Sequence, residues 1–308
     1  MPSRLETLLA SRMAGLKIGP GELLARDPPG GLAPPGLVSA NRHCRLLKTG
    51  DGWVALNLAR SDDSELVLAL TGQGGDDPWN AVAMMAAQSD ASGFCAWATE
   101  LQLPVAIPGE AVPLELTNVV EARFSGRVLD MSALWAGPLC AGLLASLGAD
   151  VVRIESVGRP DPTRQGSPKL DAMINCGKQI VPLDFRQADG RRQLRDEVAN
   201  ADVLVTSARP AALARLGLDP VELAHKTWVA ITAHGFSGPG ALRVGFGDDC
   251  AVAGGLHDWI LGEPRFIGDA LADPLTGLEA ARAVLAGRTG LIDMAMARVA
   301  AGYAAMLA

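Results

Sequence analysis

Asp273 is the residue of greatest chemical interest in this 308-residue chain, in the run IGDALADPLTGLEAARAVL. Asp followed by Pro at a helix start reads ordinarily as an N-cap. The same position also suits a nucleophile, because helix N-terminal N–H groups favour the ionised carboxylate and carboxylates form covalent intermediates. Asp248 and Asp249, in VGFGDDCAVAGGL, pose the same choice between a cap pair and an acid/base pair whose ionisation is coupled. The four histidines, His43, His225, His234 and His257, show no metal-ligand spacing, and each reads as a surface or hydrogen-bonded core residue. No metal is expected. The five cysteines are odd in number and lack a CxxC pair, which fits a reduced, intracellular setting. Cys140 falls inside an apolar helical run and reads as a small hydrophobe. GxGxxG, GxxxxGK[ST] and GxSxG are all missing, against a nicotinamide dehydrogenase, a P-loop nucleotidase and an α/β-hydrolase.

The elements that must position these groups begin at 126–155, GRVLDMSALWAGPLCAGLLASLGADVVRIE. An apolar strand closes at Asp130, a turn of small residues leads into an apolar helix, Gly148 stops it, and Val151–Ile154 begin a second strand. That is a βαβ unit, whose first turn faces ligand. Further strands are expected at 179–185 (an edge strand, given Pro182), 202–207 and 227–236, and helices at 189–201, 219–225, 247–258 and 273–286. Alternating strands and helices predict an α/β class with a Rossmann-like doubly wound parallel sheet.

Before residue 119 the pattern differs. A helix over 3–17, a Pro/Gly-rich linker at 26–36, two strands around Gly50-Asp51-Gly52, three helices and a short strand near 103–107 make a small α+β unit. The domains are thus expected at 1–118 and 119–308. Residues 131–149 carry no charge, but two Ser, three Gly and a Pro argue for a buried helix rather than a membrane span. No signal-peptide core opens the chain, and a cytoplasmic location is expected. The net charge of −7 disfavours nucleic acid.

Residues 126–298 resemble the class III CoA transferases, the superfamily of formyl-CoA transferase, carnitine-CoA transferase and 2-methylacyl-CoA racemase. Six blocks carry the resemblance in order: VLDMSALWAGPLCAGLLASLGADVVRIE, GRPDPTR, NCGKQIVPLDFRQADGRRQL, ADVLVTSARPAALARLGLDP, ITAHGFSGPG and GDALADPLTGLEAARAVLAGRTG. The resemblance implies an interlocked homodimer acting on acyl-CoA and a carboxylic acid, with coenzyme A as the group moved through an aspartyl anhydride and an aspartyl-CoA thioester. Asp273 matches the nucleophile. Ala136 matches a backbone position beside the pantetheine. Leu183 and Arg186, in PLDFR, and Arg215 and Leu216, in LARLG, match the adenosine end, and Ser207 a position often occupied by Asn. Trp135 stands in place of a catalytic Gln and Ala133 in place of another polar residue, so both Trp135 and Asp248 are expected beside the substrate. Ser156 replaces an Arg, for which Arg153 or Arg159 would substitute. No His lies near Asp248 in the sequence, which disfavours the racemase branch. The small-domain-like segment comes first and the chain is short, as in a circular permutation or a derivative of a tandem ancestor. A CoA- or acyl-CoA-binding protein without transfer is the alternative.

Overall fold

The computed structural model describes residues 3–73, 77–116 and 123–308. The expected division at 118/119 lies outside the described residues. A three-stranded antiparallel sheet forms from β1 (Cys44–Lys48), β2 (Trp53–Asn57) and β3 (Val105–Ala106). Helices Asp63–Thr71, Pro78–Gln88 and Ala91–Glu100 pack their apolar faces on it, with Val54, Leu56, Val67, Val82, Phe94 and Leu103 in one core. The helix starts are written locally: Asp77 accepts from Trp79 N–H and Asp90 from Gly93 N–H.

The chain then lays down β4 (Arg127–Met131), β5 (Asp150–Ser156), β6 (Gln179–Leu183), β7 (Val203–Thr206) and β8 (Thr227–Thr232). A hairpin of β9 (His257–Ile260) and β10 (Glu263–Phe266) follows, then β11 (Gly290–Ala295). The larger sheet is parallel throughout, in the order β11-β8-β7-β4-β5-β6. Counting its own strands along the chain, this is 6-5-4-1-2-3, the doubly wound order, and its direction reverses between β4 and β7. β6 is an edge strand, as Pro182 requires.

Small residues let the layers approach. Helix Ala272–Leu285 lies against helix Ala136–Ser146, and a Cβ added at Gly277 would stand 2.6 Å from the Ala136 carbonyl oxygen. A core poor in aromatics is therefore built on close backbone contact rather than on large rings. Among the described residues, no helix is long and apolar enough to cross a membrane.

Four expectations change. Residues 219–225 form turns rather than a helix: Asp219 Oδ1 accepts from the N–H groups of Val221 (2.7 Å) and Glu222 (3.3 Å) as a helix N-cap does, but no regular helix follows. The helix expected over 247–258 stops at Ala253, where Gly254 and Gly255 (φ 84°) follow. Beyond it lies the β9–β10 hairpin, turned by Leu261 and Gly262, both at positive φ. The helix at the start of the chain, Arg4–Arg12, does not pack with the small sheet: Leu9, Met13 and Leu23 enter the core shared by the large sheet and helix Ala272–Leu285.

Candidate active site at the strand-order switch

The reversal of strand order opens a crevice beyond the C-terminal ends of β4 and β7, where doubly wound sheets place their ligands. A cleft of about 130 Å³ lies there, with Ala133, Leu134, Ala136, Ser207 and Asp273 among its lining residues. The Ala133 N–H donates to Ser207 Oγ (2.9 Å), tying the segments that leave the two strands. Leu134 is held at φ 67°, an uncommon conformation for a bulky residue. Its N–H donates to Asp161 Oδ2 (3.0 Å), and its carbonyl accepts from Thr163 Oγ1 (3.3 Å). Behind this turn lies a buried ionic network. Arg153 pairs with Asp161 (2.5 Å) and Asp130 (3.3 Å), and Lys178 with Asp130 (2.8 Å). The two cations hold the Asp130 carboxyl below its ordinary range against the opposing effect of burial. Asp130 in turn accepts from the Ser132 N–H (3.0 Å) and hydroxyl.

Asp273 reaches the cleft from the start of helix Ala272–Leu285. It is the second helical residue rather than the N-cap, and the N-cap position, Leu271, makes no side-chain capping bond. Its carboxylate lies beside the Gly247 backbone, at the head of helix Gly247–Ala253, which favours the ionised form. Gly247 is required by space, since an added Cβ would collide with both Asp273 Oδ2 and the Ala270 carbonyl. Asp273 opens on one side to the cleft and is enclosed on the other. Burial pushes its carboxyl up to about 7; Arg26 opposes that rise, while Asp248 and Asp269 add to it.

Three further carboxylates crowd the same corner. Asp248 accepts from Asn41 Nδ2 (2.5 Å) and the Ala270 N–H (2.8 Å), and burial raises it to about 6. Asp249 accepts from the Phe246 N–H (2.9 Å) and Asn57 Nδ2 (3.1 Å), and burial raises it to about 7. Asp269 is neutralised by Arg26, which grips both its oxygens at 2.7 and 2.5 Å, and it also accepts from Asn41 (2.8 Å). Arg26 lies over the Trp135 ring, 5.6 Å from its centroid. Trp135 is therefore buried behind the cleft rather than facing it, and the turn presents Ala133 and Leu134 instead.

The remaining residues named from the sequence divide. Ala136 and Ser207 stand on the cleft wall with Asp273, and Asp248 sits behind it beside Asp269. Leu183 is in the core under the sheet, and Leu216 packs on that same core. Arg186 is exposed and pairs with Asp184 (2.9 Å), and Arg215 is exposed in the last turn of helix Pro210–Arg215. None of these four lines the cleft. Arg153 is 1% exposed and committed to three carboxylates, so it does not replace the Arg expected at 156; Arg159 is exposed. His234, expected to be a surface or hydrogen-bonded core residue without metal-ligand spacing, comes within 4.8 Å of the ligand atoms of Asp249 and Cys250.

Arg26, Asn41, Asp269, Arg209 and Arg243 escaped the sequence reading. Asp269 carried a signal, being four residues before Asp273 on the approach to one helix. Arg26 and Asn41 carried none, since their partners lie more than two hundred residues away. Arg209 and Arg243 line the cleft and bind the smaller unit: Arg209 pairs with the Gln102 side chain, and Arg243 donates to the Val105 carbonyl (2.8 Å) and Glu110 (2.6 Å).

Residues 125–303 match the sequence model of CoA-transferase family III, more than half of the chain. The chain belongs to that family. Its similar relatives include a probable fatty acyl-CoA transferase of Mycobacterium tuberculosis, 32% identical over 203 residues, covering 58% of this chain and 51% of the relative. Human succinyl-CoA:glutarate CoA-transferase is 30% identical over 175 residues, covering 52% of this chain and 40% of the relative. Among solved structures, a CaiB/BaiF family protein of Brucella suis superposes with a TM-score of 0.52 at 30% identity, over 58% of this chain and 54% of that one. The M. tuberculosis protein superposes with a TM-score of 0.53 at 30% identity, over 61% and 57%. The chain thus spans about half the length, or less, of the curated relatives it matches. The family III match covers the large sheet and its helices, while the three-stranded unit lies before it.

Proposed function

We propose that this family III chain transfers CoA between carboxylic acids with Asp273 as nucleophile. The carrying observation is the position of Asp273, a carboxylate at a helix start that opens into the switch-point cleft beside the Gly247 backbone. The ionised carboxylate attacks the acyl-CoA carbonyl carbon, and the C–S bond breaks to give an aspartyl anhydride and CoA thiolate. The thiolate attacks the aspartyl carbonyl, forming the aspartyl-CoA thioester and releasing the donor acid. The acceptor carboxylate repeats the first step on that thioester. Returning thiolate then yields the new acyl-CoA and free Asp273. Every step exchanges one carboxylate for one thiolate, so no net proton is consumed.

Ala136 and Ser207 are assigned to the CoA-facing wall, with Leu183, Arg186, Arg215 and Leu216 toward the nucleotide end. Ile231, Phe246 and Met296 near Asp273 support a small apolar acyl group rather than a dicarboxylate. This reading divides the chain into 1–118 and 119–308, with the three-stranded unit bracing the cleft-lining Arg209 and Arg243 through Gln102, Val105 and Glu110, although Leu9, Met13 and Leu23 join the larger core. A homodimer belongs to the same reading. The exposed apolar tip of the β9–β10 hairpin, Trp259, Ile260 and Leu261, supports it, and sedimentation tests it.

The test is intact mass after incubation with a panel of acyl-CoA thioesters. A hydroxylamine-sensitive adduct on the wild type, missing from Asp273→Ala, is expected. Full transfer by Asp273→Ala would refute the assignment.

A further inference from the structure

We propose that His234, Asp249 and Cys250 form a binding site for one divalent metal ion of the Zn²⁺ class, beside the cleft and separate from the Asp273 carboxylate. The three donors come from two segments, the loop after β8 and helix Gly247–Ala253. An imidazole nitrogen, a carboxylate oxygen and a thiol sulfur lie within 4.8 Å of one another. Ligand atoms around tetrahedral zinc stand about 3–4 Å apart, so closure by about 1 Å completes the set. Nitrogen, oxygen and sulfur together suit a borderline-soft ion and poorly suit Mg²⁺ or Ca²⁺.

Three independent features point to a ligand. His234 Nε2 is buried and has no hydrogen-bond partner among the described residues. Asp249 is aimed by its other contacts: Oδ1 is held by the Phe246 N–H and Asn57 Nδ2, while Oδ2 accepts from the Cys250 thiol at 3.8 Å, a proton the thiol shares with the Ala233 carbonyl (3.7 Å) and gives up on binding metal. Such orienting bonds are the usual support of a metal-bound carboxylate. Finally, Gly245 leaves a cradle. A Cβ there would stand 2.7 Å from Cys250 Sγ and 2.8 Å from Asp249 Oδ2. Gly245 does not occupy the left-handed region, so its missing side chain is explained by space rather than by backbone conformation.

Gly245 and Ala233 border both the cluster and the cleft, so a fourth coordination position is open to water or to a cleft-bound ligand. The charged neighbour, Arg243, is neutralised by Glu110 at 2.6 Å. Binding forms metal–nitrogen, metal–oxygen and metal–sulfur bonds, and releases the Cys250 thiol proton and any proton on Asp249 to solvent.

The test reads metal uptake, so its failure leaves the Asp273 assignment standing, and failure of transfer leaves this one standing. In a Cys176→Ser background, which removes the exposed thiol, chelator-treated full-length protein is dialysed against Zn²⁺ and assayed for metal. One Zn²⁺ per chain is expected, and Co²⁺ is expected to give a near-ultraviolet thiolate-to-metal band. Cys250→Ala and His234→Gln should each weaken affinity at least about tenfold, and Cys250→Ala should abolish the band. Gly245→Ala keeps all three donors while filling the cradle, and should weaken uptake comparably if its melting curve without metal matches the wild type. Lack of stoichiometric uptake, or uptake unchanged in Cys250→Ala or His234→Gln, overturns the proposal.

Discussion

Arg26 grips both carboxylate oxygens of Asp269, at 2.7 and 2.5 Å, and so leaves Asp273 facing one fewer uncompensated charge. The pair joins a Pro/Gly-rich segment near the start of the chain to the approach of the helix that carries the nucleophile. Its electrostatic effect on Asp273 is downward, against the rise caused by burial. Arg26→Met removes that effect and leaves Asp269 unpaired. The ascending limb of the pH–rate profile for transfer should then move to higher pH, with the wild-type limb centred near 7. An unmoved limb in a folded Arg26→Met protein would show that Arg26 does not set Asp273 ionisation.

Asp273 must lose its proton before it attacks. The rate kcat/KM should therefore rise about tenfold per pH unit below about 7 and level off above it. A profile flat from pH 5 to 8 would mean that the nucleophile is already ionised there.

Stability should run the other way. Asp248, Asp249 and Asp273 are raised from 3.8 to about 6, 7 and 7. A carboxyl raised on folding binds its proton more tightly in the native state. Its stabilisation is full below about 4 and is lost as pH rises through about 7. Asp273→Asn removes the buried charge and should gain about 1–3 kcal/mol over the wild type at pH 8, with the difference shrinking toward pH 5. Urea unfolding at the two pH values measures this. The same variant should lose about three orders of magnitude or more in transfer rate.

Gly247→Ala places a methyl group against Asp273 Oδ2 and the Ala270 carbonyl. It should cost about 1–3 kcal/mol and reduce transfer more than Gly254→Ala, which crowds helix Met296–Leu307 instead. Equal activity losses in the two variants, at matched stability, would remove Gly247 from the site.

Lys178→Met strands Asp130 in the core beside Arg153 alone. It should cost about 3–5 kcal/mol in thermal or chemical unfolding. A loss under about 1 kcal/mol would mean that Arg153 and Ser132 satisfy Asp130 without Lys178.

Five strands of the large sheet, β4 to β8, were legible as short apolar runs separated by helical stretches, whereas β11, Gly290–Ala295, was missed, its apolar run being broken by Asp293. The β9–β10 hairpin was not, since His257, Asp258 and Trp259 alternate weakly and its turn rests on Leu261 in a conformation that leucine rarely adopts. Asp273 was legible as a carboxylate at a helix start. Its environment was not: Arg26, Asn41 and Asn57 approach from segments with no local hint of a distant partner. Trp135 was misread for the same reason. Its place in the turn was right, but its ring is buried beside Arg26 and does not line the cleft.

Pro182 has a consequence for how molecules meet one another. The carbonyl of Leu183 accepts from the Val157 N–H, so the backbone of Leu183 faces inward, toward β5. Alternation along the strand turns the backbone of Ile180 and Pro182 outward, to the open edge. Proline supplies no N–H there, which breaks the row of donors that a foreign strand would need to continue the sheet. With Ile180 exposed beside it, that edge would otherwise be an adhesive margin, and one imide ring makes it a poor template for aggregation.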